Sequence, residues 1–296
     1  MPLAGELLAL LTAVLWSASS FIFAAATKRI SSLQLNILRL LIAEGYFAVY
    51  LIFAYHSDSL SLAQIVYLSS SGIVGLSLGD TFLFRAFQEV GARVGMLLMT
   101  LAPAIAAVLA AIFLHEQLRI WVIIGMTTTL IGVALVIVER TPAGGAKLAF
   151  GVRGVVFGLL GAAGQGAGLI LAKLAYLERP IDGFTATSIR ILAGLLLLVA
   201  ASALTGCTIY PREQLARARG TFTLIMIAAL LGSFLGISAS FLSVAWTSVG
   251  VASTIMATVP VLMLPVAWIV YKESIHWRAV AGAITAVAGV SLLFLQ

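Results

Sequence analysis

The chain is predicted to be an all-α integral membrane protein of ten transmembrane helices, arranged as two inverted five-helix repeats. Three observations predict this. Of 296 residues, 62% are hydrophobic and only 9% charged, with a mean hydropathy of +1.14, whereas a soluble domain carries about 25% charged residues. Apolar stretches of roughly the 20 residues needed for one crossing recur along the whole chain. Residues of the first half also recur in the second at a fixed spacing.

The ten stretches fall near 4–26, 34–55, 62–87, 91–113, 119–138, 151–176, 183–205, 221–246, 249–271 and 277–295. Most connections between them are two to eight residues long. The break from Glu139 to Phe150, with Pro142, Gly144 and Gly145, lies near the middle of the chain. It reads as a linker, placing one repeat at 1–140, the linker at 141–150 and a second repeat at 151–296. The opening Met-Pro-Leu-Ala-Gly-Glu lacks the basic start of a signal peptide, so the first helix is expected to stay in place.

The repeat can be checked residue by residue. Pro103 and Pro260 are 157 positions apart, as are Glu116 and Glu273, Gly125 and Gly282, Gly132 and Gly289, Gly75 and Gly232, and Gly79 and Gly236. Earlier in each half the spacing shrinks, to 145 for Lys28 and Lys173 and 151 for Arg39 and Arg190, which marks small loop insertions. Five crossings per half force the second half to enter the membrane from the opposite side. Inverted repeats of this kind, related by a pseudo-two-fold axis in the membrane plane, are the architecture of many secondary transporters.

Trp16 in the first helix, Arg39 followed by Leu-Leu-Ile-Ala in the second, and Pro103, Glu116, Gly125 and Gly132, duplicated as Pro260, Glu273, Gly282 and Gly289, resemble the EamA-type ten-helix permeases of the drug/metabolite transporter superfamily. The likeness runs over nearly the whole chain and rests on the order and duplication of these residues. It implies a carrier, commonly an exporter, of amino acids, related metabolites or drugs.

The cationic residues indicate orientation. Twelve Lys and Arg fall on the side opposite the termini, three fall on the termini's side, and Arg39 and Arg190 lie inside helices. The positive-inside rule then places both termini outside the cytoplasm, in a cell inner or plasma membrane. The same loop positions assign the net charge of +6 to membrane orientation and not to nucleic acid.

Ionisable groups at membrane depth cost at least about 2.5–3.5 kcal/mol each, so each needs a reason. Glu44 lies roughly 15 Å into helix 2 at about 1.5 Å per residue. Asp80 occupies the same half-thickness from helix 3, with Arg39 and Arg85 nearby in sequence. Each acid stands five residues from its Arg, so the two point to different helix faces and pairing must run between helices or through water. Asp80 and Glu44 are therefore candidates for the substrate path, against a reading as an ion-pair network that fixes packing. Glu44 maps to Leu195 in the second repeat, and the family position is usually apolar, which makes it a candidate for substrate specificity.

Trp16 lies mid-helix, and Ser20 one turn later; both are pocket candidates, although serines in membrane helices often bond their own backbone. Gln165, polar among the glycines of helix 6, is another. Pro103 and Pro260 are expected near the middle of the fourth helix of each repeat, where a kink suits a hinge. Arg39, Arg190, Glu116 and Glu273 read as structural charges, the arginines snorkelling or bridging carbonyls and the glutamates capping or pairing across helices.

Other classes are disfavoured. The lone Cys207 and the scattered His56, His115 and His276 give no metal site. Nucleotide-binding loops, intramembrane protease motifs and nucleophile elbows are missing from the sequence, so neither an enzyme nor a cofactor is expected. A lipid-linked-sugar flippase and a channel-like subunit are the alternatives to a carrier. The expected partners are a small-molecule substrate and the bilayer. Two fused repeats are compatible with a working monomer, with a homodimer as the alternative.

Overall fold

The computed structural model describes residues 3–54, 60–115, 120–140, 146–148, 151–206, 220–246, 252, 255–269, 272 and 276–293. The helices are α1 (Ala4–Thr27), α2 (Ser32–Ala54), α3 (Leu62–Ser71), α4 (Asp80–Met99), α5 (Ala102–Phe113), α6 (Ile120–Ile137), α7 (Val152–Glu178), α8 (Gly183–Thr205), α9 (Thr221–Ala228), α10 (Ile237–Trp246), α11 (Val259–Ile269) and α12 (Trp277–Leu293). Two π-helical segments, Gly72–Gly79 and Ala229–Gly236, join α3 to α4 and α9 to α10. Among the described residues, six helical stretches are long and apolar enough to cross a membrane, and four shorter apolar helices accompany them. The architecture is that of ten crossings in two repeats. At the predicted linker, a short antiparallel hairpin pairs β1 (Val138–Arg140) with β2 (Ala146–Leu148).

Local chemistry places the breaks. Ser61 caps α3 in a reciprocal capping box with Gln64, and the Asp182 carboxylate accepts from the Thr185 N–H at the start of α8. Gly91 adopts φ 79° and ψ 168° and interrupts α4, a conformation open in practice only to glycine. The third crossing ends there and the fourth begins.

The repeat is more literal in the structure than in the sequence. The two π segments start and end at the same spacing of 157 that relates Pro103 to Pro260. His115 and Lys272, again an equivalent pair, both take positive φ, 54° and 51°. Turns at Thr100–Leu101 and Ala257–Thr258 likewise correspond.

Those turns correct one expectation. Pro103 is not in mid-helix: the fourth crossing is interrupted at Thr100–Leu101, and Pro103 stands in the first turn of α5. Pro260 is the second residue of α11. Proline is favoured in a first turn because its missing N–H has no acceptor there in any case. The bend is therefore a helix break restarted by proline, and it is Pro265 that lies inside α11.

Packing is led by small residues, as expected where lipid removes the hydrophobic drive between helices. Helices α6 and α12 cross so closely that a side chain at Gly132 would run into Ala286, and one at Gly289 into Thr129. Apolar clusters fill the rest: Phe23, Phe84 and Phe87 with Leu35 and Ile225 on one side, and Phe47 with Ile191, Leu195 and Leu198 on the other. Both clusters draw residues from both halves.

Candidate functional site

The π segments are where the halves meet. A π-helix is wider than an α-helix, is rare, and frequently marks a functional site. Their sequences, GIVGLSLG and ALLGSFLG, keep small residues at matching positions, Gly72/Ala229, Gly75/Gly232 and Gly79/Gly236. Each segment receives a glycine- or serine-lined helix of the other half. Gly161, Gly164 and Gly168 of α7 lie against Gly75 and Gly79, while Trp16 and Ser19 of α1 lie against Gly232 and Gly236.

Hydrogen bonds fasten both contacts. Ser71 Oγ donates to the Gly168 carbonyl at 2.6 Å, and Ser77 Oγ donates to the Gly194 carbonyl at 2.8 Å. On the equivalent side, the Trp16 indole Nε1–H donates to the Gly232 carbonyl at 3.1 Å, with its ring packed beside the cluster of Ala13, Phe21, Val259 and Met263. Trp16 thus joins the halves. Trp16→Phe keeps an aromatic ring but deletes the donor and the rest of the indole, so it is expected to lower stability by about 1 kcal/mol or more. Trp246→Phe, at an exposed position (63%), is expected to change it by less than about 0.5 kcal/mol. Thermal unfolding in detergent compares the two.

Asp80 opens α4 directly after the first π segment and is 4% exposed. Arg39 Nη2 donates to its Oδ2 at 2.6 Å, and Gln165 Nε2 donates to its Oδ1 at 2.6 Å. Arg39 is itself 9% exposed, donates also to Asn36 Oδ1 at 3.0 Å, and lies over the Phe84 ring at 5.3 Å. Asn36 completes the network by donating Nδ2 to the carbonyls of Leu76 (2.8 Å) and Ser77 (3.2 Å) in the π segment and to Thr81 Oγ1 (2.9 Å). A buried charge pair is best tolerated where both ions are fully hydrogen-bonded; the Asp80 carboxylate meets that requirement on both oxygens, whereas Nε of Arg39 is buried without a partner among the described residues.

Asp80, Arg39 and Gln165 are thus brought together from three helices and both repeats, and the pairing runs between helices. Arg190 of α8 packs its backbone on Gly72 of the first π segment, and its side chain is half-buried. Snorkelling to the interface does not describe Arg39.

Other candidates lie apart. Glu44 accepts from Ser188 Oγ at 2.6 Å across the α2–α8 contact, and its second oxygen is buried without a partner among the described residues. It does not join the Asp80 network. Arg85 reaches Gln88 Oε1 at 3.2 Å and lies near the Phe157 ring, so it pairs with neither acid. Ser20 donates to the Trp16 carbonyl at 2.7 Å and is spent on its own helix. Glu116 and Glu273 lie outside the described residues. Asn36, Ser77, Ser188 and Tyr176 were not singled out from the sequence. Asn36 alone left a signal there, a strong hydrogen-bonding side chain one helical turn before Arg39.

The fold agrees with what the chain resembles. No curated protein sequence matches it. A solved crystal structure, titled only as that of a protein, superposes with a TM-score of 0.62 at 15% identity, over 99% of this chain and 96% of its own, and supports the fold. The family model of EamA-like transporters matches twice, over residues 3–138 and 152–295. The chain belongs to the EamA-like transporter family, whose members are transporters and not enzymes, and it is a multi-pass membrane transporter of the drug/metabolite transporter type.

Proposed function

We propose that the protein is a secondary carrier that works by alternating access and exports small organic metabolites such as amino acids or drugs. The observation that carries this reading is Asp80. It is buried beside the π segment where the repeats meet, and holds Arg39 of its own half and Gln165 of the other. A site built from both repeats changes its exposure when one rocks against the other, as transporters with midplane sites between inverted repeats require. The wide, glycine-lined π segments supply two equivalent places where backbones can slide. Bistable packing of that sort turns small shifts into opening on one side and closure on the other. The excess of cationic residues on the side away from the termini supports both termini lying outside the cytoplasm, in a cell inner or plasma membrane.

Proteoliposomes loaded with single unlabelled amino acids test the reading. Saturable uptake of the matching labelled compound against no net gradient is the expected result. Downhill flux without counterflow would mean a channel. Inhibition by lipid-linked sugars, with no amino-acid counterflow, would mean a flippase.

A further inference from the structure

The seam between α4 and α7, where the first half meets the second on the cation-rich side, gathers two arginines around one ring. Arg85 of α4 places its guanidinium carbon 5.9 Å from the centre of the Phe157 ring, and Arg153 of α7 places its own 5.6 Å from the same centre. Phe157 in turn stacks on Phe82 of α4, with ring centres 6.1 Å apart and planes inclined by 16°. Little negative charge accompanies them. Arg85 donates to the neutral Gln88 side chain at 3.2 Å and pairs with no carboxylate among the described residues. Arg153 stands 3.9 Å from Glu89, and both residues are exposed. An exposed pair at that distance is weak, so two cations share one loosely held acid.

Packing alone does not call for this charge, because the repeat supplies an uncharged twin of the same seam. Gly75 and Gly232, equivalent at a spacing of 157, lie against Gly164 and Ser19, which are equivalent at 145. The same spacings carry Arg85 and Phe82 to Leu242 and Ala239, and Arg153 and Phe157 to Leu8 and Thr12. The twin seam therefore closes with no ionisable residue at any of the four positions, and Leu242 is left exposed. Beside the charged seam the surface is apolar as well. Arg153, Phe157 and Leu160 are spaced by four and three residues, so they share one face of α7. Leu160 is exposed, and so is Leu78 of the first π segment, four residues before Phe82. In a membrane-spanning chain such apolar exposure meets acyl chains. The seam is thus cationic at the membrane surface and apolar deeper in.

We propose that this seam holds an anionic phospholipid, with its head-group phosphate on Arg85 and Arg153 and its acyl chains along Phe82, Leu78 and Leu160. A guanidinium matches a phosphate through two parallel hydrogen bonds, and basic pockets between transmembrane helices suit acidic head groups. Arg85 keeps donors for this role, since the contact to Gln88 uses one of its five. It lies six residues before Gly91, about 9 Å inside the end of the third crossing at about 1.5 Å per residue, a depth from which a long side chain reaches the head groups. Because α4 and α7 belong to different halves, the lipid bridges them. The inference does not depend on what the protein carries.

The test uses the full chain in detergent and compares phosphatidylglycerol with phosphatidylcholine, which has the phosphate but no net charge, by native mass spectrometry and thermal unfolding. Phosphatidylglycerol is expected to bind at least about tenfold more tightly and to raise the unfolding temperature further. In Arg85→Gln/Arg153→Gln this preference should fall to within about twofold, and Arg153→Gln alone should remove part of it. Lys28→Gln/Arg278→Gln deletes the same charge on the same side but away from the seam, and should keep the preference whole. The readout is a ratio between two lipids on one folded variant, so a loss of stability does not alter it. An unchanged preference in the seam variant, or an equal loss in the Lys28/Arg278 variant, would overturn the site. Inorganic phosphate is the soluble probe: if it stabilises the wild type as well as the lipid does, with the same dependence on Arg85 and Arg153, the seam binds a free anion and the lipid assignment falls.

Discussion

Asp80→Asn is expected to lower counterflow at least tenfold and to destabilise the protein by about 3–5 kcal/mol, the usual cost of removing one partner from a buried ion pair. The substitution keeps the shape of the side chain. What it removes is the negative charge that Arg39 pairs with, and it turns one acceptor oxygen into a donor facing either Arg39 or Gln165. The Arg39 guanidinium is then buried without its counter-ion. Loss of transport alone would not separate a substrate-binding acid from one that fixes packing. The double variant Asp80→Asn/Arg39→Gln does so, because replacing both ions by neutral polar groups removes the unpaired charge. Unfolding in detergent should show most of the lost stability regained in the double variant, a strong non-additivity of the kind expected for contacting residues. Counterflow should stay low. Recovery of both quantities would make the pair a packing device and move the substrate path elsewhere.

Much of this arrangement could be read from the chain, for identifiable reasons. The spacing of 157 is a covalent property, so the repeats and their inversion follow from counting. It already joined Gly75 to Gly232 and Gly79 to Gly236, although nothing in their pattern announced a π-helix. Hydropathy in a segment that is apolar all round cannot distinguish hydrogen bonding at i+4 from i+5. That Asp80 pairs across helices follows from its five-residue offset to Arg85, but the identity of the partner depends on which faces α2, α4 and α7 present to one another. Arg39 and Gln165 therefore emerge only in three dimensions. Glu44 lay at similar depth and yet serves a different contact, since depth along a helix says nothing about direction around it. Pro103 and Pro260 were misplaced within their crossings because the apolar run continues unbroken through Thr100–Leu101, with no glycine or charge to signal a restart. Arg190 was matched to Arg39 by sequence position, and the match hid a difference between them: among the described residues a carboxylate stands at hydrogen-bonding distance only from Arg39.

Gly72→Ala, a change of one methyl group, is expected to cost about 1–3 kcal/mol or more, at the upper end for overpacking. The added carbon would overlap the Arg190 carbonyl oxygen and lie 2.6 Å and 2.8 Å from its carbonyl carbon and Cα. All three are backbone atoms of α8, so no side-chain rotation relieves the clash, and the helix must retreat from the π segment. That retreat also pulls on Ser77, whose hydroxyl bonds the Gly194 carbonyl one turn further along α8, and it shifts the base from which Arg190 projects. Transport should therefore fall along with stability. Gly45→Ala in α2 is the matched control, because a side chain there meets nothing within 4 Å. Alanine is the better helix former by about 0.5–1 kcal/mol, so this variant should unfold at the same temperature as the wild type or higher. Comparing the two in detergent isolates the close approach at Gly72 from the general effect of replacing a helical glycine. Equal unfolding temperatures would mean that α8 has room to move away from the π segment without loss, and the first repeat would then not be locked to the second at this point.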